Sequence, residues 1–351
     1  MSTRLIALAG LLALGNAAGA ADADFAGKWD LTITQGRNVM HALLNIRHTD
    51  AGLVGFVEGG PVDLQVDGNR IAMTIDERAI RGGRLVRYLQ GNRQEGRLAG
   101  TFGPDHEPTR EELDTCRNIP LACTVPTGTW SAVPHAPTGH PDGEPVDLTG
   151  AWVIVGRPLY RYTSALNEAG REWQSAFDVT MDLPGQRCQP WGLVNSWGFR
   201  GFDPEIFQSD VQITMVQNSE VRRVYLDDRQ PPDYTDWYPL GFSTGRWEGD
   251  TLVVETTYLQ PSIREWMGDP VSENARVEER YTIDDEGYLV GVMTLFDPTY
   301  YDEPPIKRAR WRRAPPDQVR FPTLCDPDSF YRQLYDDGLM DEYWRRGNRR
   351  Y

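Results

Sequence analysis

The stretch GFSTGRWEGDTLVVETTYL, residues 241–259, decides the fold. Gly249-Asp250 is a positive-φ hairpin corner. Thr251–Leu259 then reads as a strand rich in Val and Thr. Similar runs flank it: VQITMVQ at 211–217, VRRVYLDDR at 221–229, ARVEERYTID at 275–284 and YLVGVMTLFDP at 288–298. Consecutive hairpins at this spacing predict an antiparallel barrel or sandwich.

Working outward, residues 24–103 repeat the pattern with MHALLNI, GLVGFVEG, PVDLQVDG, RIAMTID, RLVRYLQGN and GRLAGTFG, separated by Gly- and Asp-bearing turns. Gly55, Gly91 and Gly100 fall inside strand runs, where a bulge or tight curvature is expected. Both units open on Gly-x-Trp, at Gly27-Lys28-Trp29 and Gly150-Ala151-Trp152, a faint internal repeat. Between them, residues 104–147 hold eight prolines and His106, His135 and His140. They read as a linker with a disulfide-pinned loop, too rich in Pro for continuous helix or central strand. Ser164–Asp178 has helical character, and apolar residues at 330, 334, 335, 339, 340, 343 and 344 predict a C-terminal helix that Gly338 can split. The expected class is mainly β: two antiparallel β-barrel or sandwich units, lipocalin-like, with a Pro-rich linker and a C-terminal helix. The expected boundaries are a signal peptide at 1–21, a small β domain at 22–103, the linker at 104–147, the barrel domain at 148–325 and the helix at 326–351.

Arg4, the apolar run Leu5–Leu14 and Ala18-Gly19-Ala20 have the order of a cleavable secretory signal. A periplasmic or secreted location follows, and no later run is long enough for a membrane-spanning helix. Four cysteines in an exported chain suggest two disulfides, with Cys116–Cys123 and Cys188–Cys325 the favoured pairs of three possible connectivities. Their spacing is not that of a zinc site. The net charge of −15 argues against nucleic acid as a partner. Eleven Trp, fifteen Tyr and eleven Phe fit either core packing or an aromatic-lined pocket for an apolar or aromatic small molecule.

The second unit resembles an uncharacterised exported bacterial family with a GRWEGDTLVVET-type C-terminal domain. The resemblance covers 148–312 and is carried by Cys188-Gln189-Pro190-Trp191-Gly192, Arg223–Arg229, Gly241–Thr256, Ser272-Glu273 and Asp297-Pro298. It implies a lipocalin-like (calycin-like) barrel enclosing a small apolar ligand, and implies no particular activity.

No histidine follows His140, so this half has no Ser-His-Asp triad, Cys-His dyad or His-ligated zinc. His41 and His48, seven apart, fall on opposite faces of one strand and do not suggest a joint metal site. Nucleotide-binding and nucleophile-elbow motifs are missing, and no cofactor is expected. Strand parity groups Val253, Glu255, Thr257 and Leu259 on one face and Leu252, Val254, Thr256 and Tyr258 on the other. Each face is mixed, so Glu255 is a candidate inward carboxyl and general acid or base. Tyr225 is the expected second proton donor, with Asp227 and Arg223 beside it. Arg246, Trp247, Tyr258, Glu278 and Arg280 are the expected substrate contacts. Trp247 over the barrel end and Arg246 paired with a carboxylate is the structural alternative. The favoured function is a cofactor-independent lyase, isomerase or hydratase acting on an aromatic or terpenoid-like small molecule in the barrel. The alternatives are a lipocalin-like carrier and an envelope-associated interaction module.

Overall fold

The computed structural model describes residues 25–36, 38–57, 60–76, 86–104, 106–118, 124–135, 139–158, 166–198, 203–217, 220–233, 236–266, 268–315 and 325–346. The signal-peptide reading lies outside them.

The first unit is a closed barrel of eight strands: β1 (Gly27–Gln35), β2 (Asn38–Thr49), β3 (Gly52–Val57), β4 (Gly60–Asp67), β5 (Arg70–Asp76), β6 (Val86–Gln94), β7 (Arg97–Gly103) and β8 (Gly128–Pro134). Every strand pairs antiparallel with its neighbour in sequence, and β1 closes the ring between β2 and β8. Alternate residues such as Leu31, Ile33, Leu44, Ile46, Ile71, Met73 and Leu89 fill the interior. Gly91 makes room for Trp130, whose indole Nε1 donates to the Gln90 and Thr101 carbonyls, and Gly100 lies against the Gln90–Gly91 backbone. They serve close approach there.

The boundary expected at residue 103 is corrected. A helix, α1 (Arg110–Asn118), and the closing strand β8 both lie inside the Pro-rich stretch. Prolines stand outside or at the ends of these elements, where no interior backbone N–H is lost, so they punctuate structure without forbidding it.

The second unit is a nine-stranded closed barrel in the order β11-β12-β13-β14-β15-β18-β19-β20-β9. Its strands are β9 (Gly150–Ile154), β11 (Glu205–Gln208), β12 (Gln212–Gln217), β13 (Glu220–Tyr225), β14 (Phe242–Glu248), β15 (Thr251–Thr257), β18 (Arg276–Ile283), β19 (Leu289–Phe296) and β20 (Ile306–Arg313). A two-residue strand, β10 (Arg157–Pro158), crosses back to pair with β2 of the first barrel. The hairpin β16 (Ser262–Glu265) and β17 (Asp269–Val271) packs with α2 (Glu168–Ser175) and the short α3 (Leu193–Ser196). The chain's tail forms α4 (Pro327–Asp336) and α5 (Met340–Arg345), split at Gly338.

The Gly-x-Trp repeat is structural. Trp29 Nε1 donates to Phe25 O and Trp152 Nε1 to Leu148 O, each at 2.9 Å and four residues back, and both rings are buried. In the second barrel Arg313, on the last strand, lies 4.5 Å over the Trp152 ring and donates to Thr149 O. The first and last strands are thereby locked together.

The Cys188–Cys325 disulfide is present, with Cα atoms 5.7 Å apart. Cys116 is also disulfide-bonded, while Cys123 lies outside the described residues. No helix among the described residues is long and apolar enough to cross a membrane.

Candidate functional site

The interior of the second barrel is solid. Trp152, Trp197, Tyr281 and Trp311 are buried in it, with Trp197 edge-on to Trp311 at 5.6 Å. The void found against this interior is about 20 Å³, lined by Leu193, Met215, Glu220, Arg222 and Leu240 among others. That is room for about one water. Among the described residues, large aromatics occupy the lumen in which a small-molecule ligand was expected.

Strand phase explains where the expected residues went. On β15, Leu252, Val254 and Thr256 point inward, and Glu255 points out, paired with Arg276 at 3.0 Å with its side chain 45% exposed. Glu278 sits opposite Glu255 in the ladder, on the same outer face. Arg246 and Arg280 both pair with Glu248 on the outside, at 2.7 Å each. These partners hold the Glu248 carboxyl below its ordinary range, Arg280 foremost, against the opposing effect of burial. Asp227 is exposed and paired with Arg229, which holds its carboxyl low. Tyr258 is exposed, in a left-handed backbone conformation (φ 55°). Trp247 packs against the core. Neither Glu255, Asp227 nor Glu278 is an inward acid–base group.

The inward phase holds different ionisable residues. Arg222 on β13, Ser243 on β14, Thr256 on β15, and Glu279 and Tyr281 on β18 converge at the centre, all buried. Arg222 Nη1 donates to Glu279 Oε1 at 2.9 Å, Nη2 to Thr256 Oγ1 at 2.8 Å and to Glu279 Oε2, and Nε to Ser243 Oγ at 3.2 Å. Tyr281 O–H donates to Glu279 Oε1, and Trp197 Nε1 to the Tyr281 oxygen, each at 2.6 Å. Burial alone would lower the Arg222 pKa, but Glu279 outweighs it and the net shift is upward. Burial, then the Glu279 charge, pushes the Tyr281 phenol well up. Every nitrogen of the guanidinium is bonded, so this network is closed on itself and fixes the barrel. The signal for it was present: Arg222 and Glu279 share the phase of Val224, Leu226, Val277 and Tyr281.

A second buried set lies by the β16–β17 hairpin. Arg264 pairs with Asp269 at 2.7 Å, and Lys307 with Glu265 at 3.1 Å. Lys307 Nζ also donates to Val194 O, which ties α3 to β20. Burial raises the Glu265 pKa despite its Lys307 and Arg264 partners. The two motifs Ser272-Glu273 and Asp297-Pro298 meet here, Ser272 Oγ donating to Asp297 Oδ1 at 2.7 Å.

The opening onto solvent is a seam between β13 and β14. These strands run parallel and pair at Val224↔Ser243 and Tyr225↔Thr244. Along the rest of β13, a cleft of about 480 Å³ separates its edge from the segment Tyr238–Phe242. Tyr225 and Phe242 form one wall, ring centroids 5.5 Å apart, with Arg229 4.3 Å over the Tyr225 ring. Pro190, Arg223 and Tyr238 complete the rim, and Arg222 and Ser243 are at the floor. Of the expected residues, the seam brings together Arg223 and Tyr225. Glu220 lines both the cleft and the small inner void. Its carboxyl has no hydrogen bond or ion pair among the described residues, and burial raises its pKa. Glu220 was not among the residues expected from the sequence. Its inward phase with Arg222 is the signal that marks it.

Among the described residues no cluster of three or more His, Cys, Asp or Glu side chains could hold a metal ion. No family model matches the chain, and no curated protein matches it. Among solved structures, one from Nostoc punctiforme, described as a protein with unknown function from the DUF3598 family, aligns at 8% identity. The alignment covers 84% of this chain and 98% of that one, with a TM-score of 0.20.

Proposed function

We propose that the second barrel performs acid–base chemistry on an aromatic or terpenoid-like small molecule held in the β13–β14 seam, with Glu220 as the group that takes or gives the proton. The reaction class is a lyase, isomerase or hydratase whose proton transfer uses the chain's own residues. The observation that carries this reading is the half-buried Glu220 carboxyl, which has no partner among the described residues. A carboxyl raised by burial holds and releases a proton closer to neutral pH than an exposed one. The Tyr225 and Phe242 rings supply an apolar wall. The Tyr225 hydroxyl and the exposed Arg223 stand on the same cleft to donate a proton or stabilise an anion. The disulfide and the export-type N-terminus support a periplasmic or secreted protein, in line with the GRWEGDTLVVET-type resemblance.

The test is depletion of a panel of aromatics and terpenoids by the oxidised protein, followed by mass spectrometry, with Glu220→Gln in parallel. Loss of a compound far beyond protein stoichiometry, reduced at least ~100-fold by the substitution, is the expected result. Its pH profile should turn over above the ordinary carboxylate range, following the raised Glu220 pKa. Turnover unaffected by Glu220→Gln would remove Glu220 from the mechanism. The aromatic wall also suits a carrier, which would take up one equivalent and return it unchanged.

A further inference from the structure

The two barrels meet outer face to outer face, β2 against β20, and β10 lies along β2 at Met40 and His41. His41 is mostly covered there. Its Nδ1 is 3.2 Å from Thr32 Oγ1. Its Nε2 is buried without a hydrogen-bond partner and is pressed against the crossover at Gly156, where an added Cβ would come within 2.8 Å of it. From β20, Arg308 and Arg310 bring positive charge to the same ring. Among the described residues, the carboxylate acting on His41 from its own barrel is Asp30, and Asp30 is engaged by Arg308 and His135, at 2.7 and 2.8 Å. Arg310 is held by Asp284 and Glu286. The cleft alongside is also lined by His140 and Asp285.

We propose that this joint is a proton-operated catch: in acid, a solvent proton taken up at His41 sets a third cation against Arg308 and Arg310, and the second barrel releases the first. Docking favours the neutral imidazole, because the mostly covered ring faces Arg308 and Arg310 and a charge placed on it there would lose its solvation. Burial foremost, then Arg308 and Arg310, lower the His41 pKa from 6.5 to about 4, with Asp30 and the Val155 backbone opposing. The sign follows from linkage: the separated state binds the proton more tightly, so docking is at full strength above the free value and weakens as pH falls toward the docked one. For these two values the docking equilibrium weakens about a hundredfold between pH 7 and pH 4.

Small-angle scattering of the full chain from pH 7 to pH 3.5, with circular dichroism alongside, tests the catch. A reversible rise in radius of gyration with strand content intact is expected in the wild type, and no rise over that range in His41→Gln. The imidazole resonance of His41, one of five histidines, should titrate with the same midpoint. If His41→Gln does not fold, that coincidence in the wild type decides the matter. Expansion of His41→Gln at the wild-type pH would assign the effect to carboxylates such as Asp30 and overturn the proposal. So would the absence of expansion, loss of strand content along with it, or an imidazole midpoint that does not track it.

Discussion

At the scale of single residues, the decisive fact is which charges are inside. Arg222 and Glu279 are buried and bonded to one another, whereas Glu255 and Arg276 pair on the half-exposed outer face. Removing one member of the inner pair strands the other in a low-dielectric interior. Arg222→Met is expected to lower stability by about 3–5 kcal/mol, and the double replacement Arg222→Met with Glu279→Leu to recover much of it. Urea denaturation midpoints of the three proteins check this. Glu255→Ala removes only a solvated pair, and its midpoint should correspond to a loss of at most ~1 kcal/mol. The sequence supplied all four residues, and it named the outer pair's Glu255 as the interior acid. Parity alone could not choose, because Leu252, Val253 and Val254 on both phases of β15 are all fully buried.

At the scale of elements, turns and strands were legible where the signal is local. The Gly249-Asp250 corner does join β14 to β15, and it has a further role. Asp250 accepts from the His140 backbone N–H at 2.5 Å and faces His140 Nδ1 at 2.9 Å, so the turn anchors the linker. This contact raises the His140 pKa. The split of the C-terminal helix at Gly338 was also legible. Gly338 has φ 70°, with Leu339 N bonded back to Leu334 O, a left-handed helix stop. Gly338→Ala should lower the melting temperature by the equivalent of about 1–2 kcal/mol, because an L side chain is strained there. The parallel β13–β14 seam was not legible. An antiparallel series was expected throughout, and nothing local distinguishes a strand that pairs with the next one from a strand that pairs after an intervening segment.

At the scale of the whole molecule, the two ends of the second domain are fastened by the Cys188–Cys325 disulfide, which spans 137 residues of chain. A cross-link closing so long a loop restricts the unfolded ensemble strongly. Its replacement by Cys188→Ser with Cys325→Ser is expected to lower stability by about 2–5 kcal/mol, seen as an earlier unfolding transition. The first barrel closes only because β8 returns from within the Pro-rich stretch to pair with both β1 and β7. Alternation of side chains, turn residues, the Gly-x-Trp repeat and cysteine positions determined by themselves that this is a mainly β protein of two barrel or sandwich units with a disulfide and a C-terminal helix, because each is written within a few residues of chain. The tertiary structure alone decided which phase of each strand faces inward, that aromatics fill the second barrel, and that Glu220 stands open at the seam. Those outcomes depend on neighbours far apart in sequence, and on burial, which no single strand carries in its own pattern.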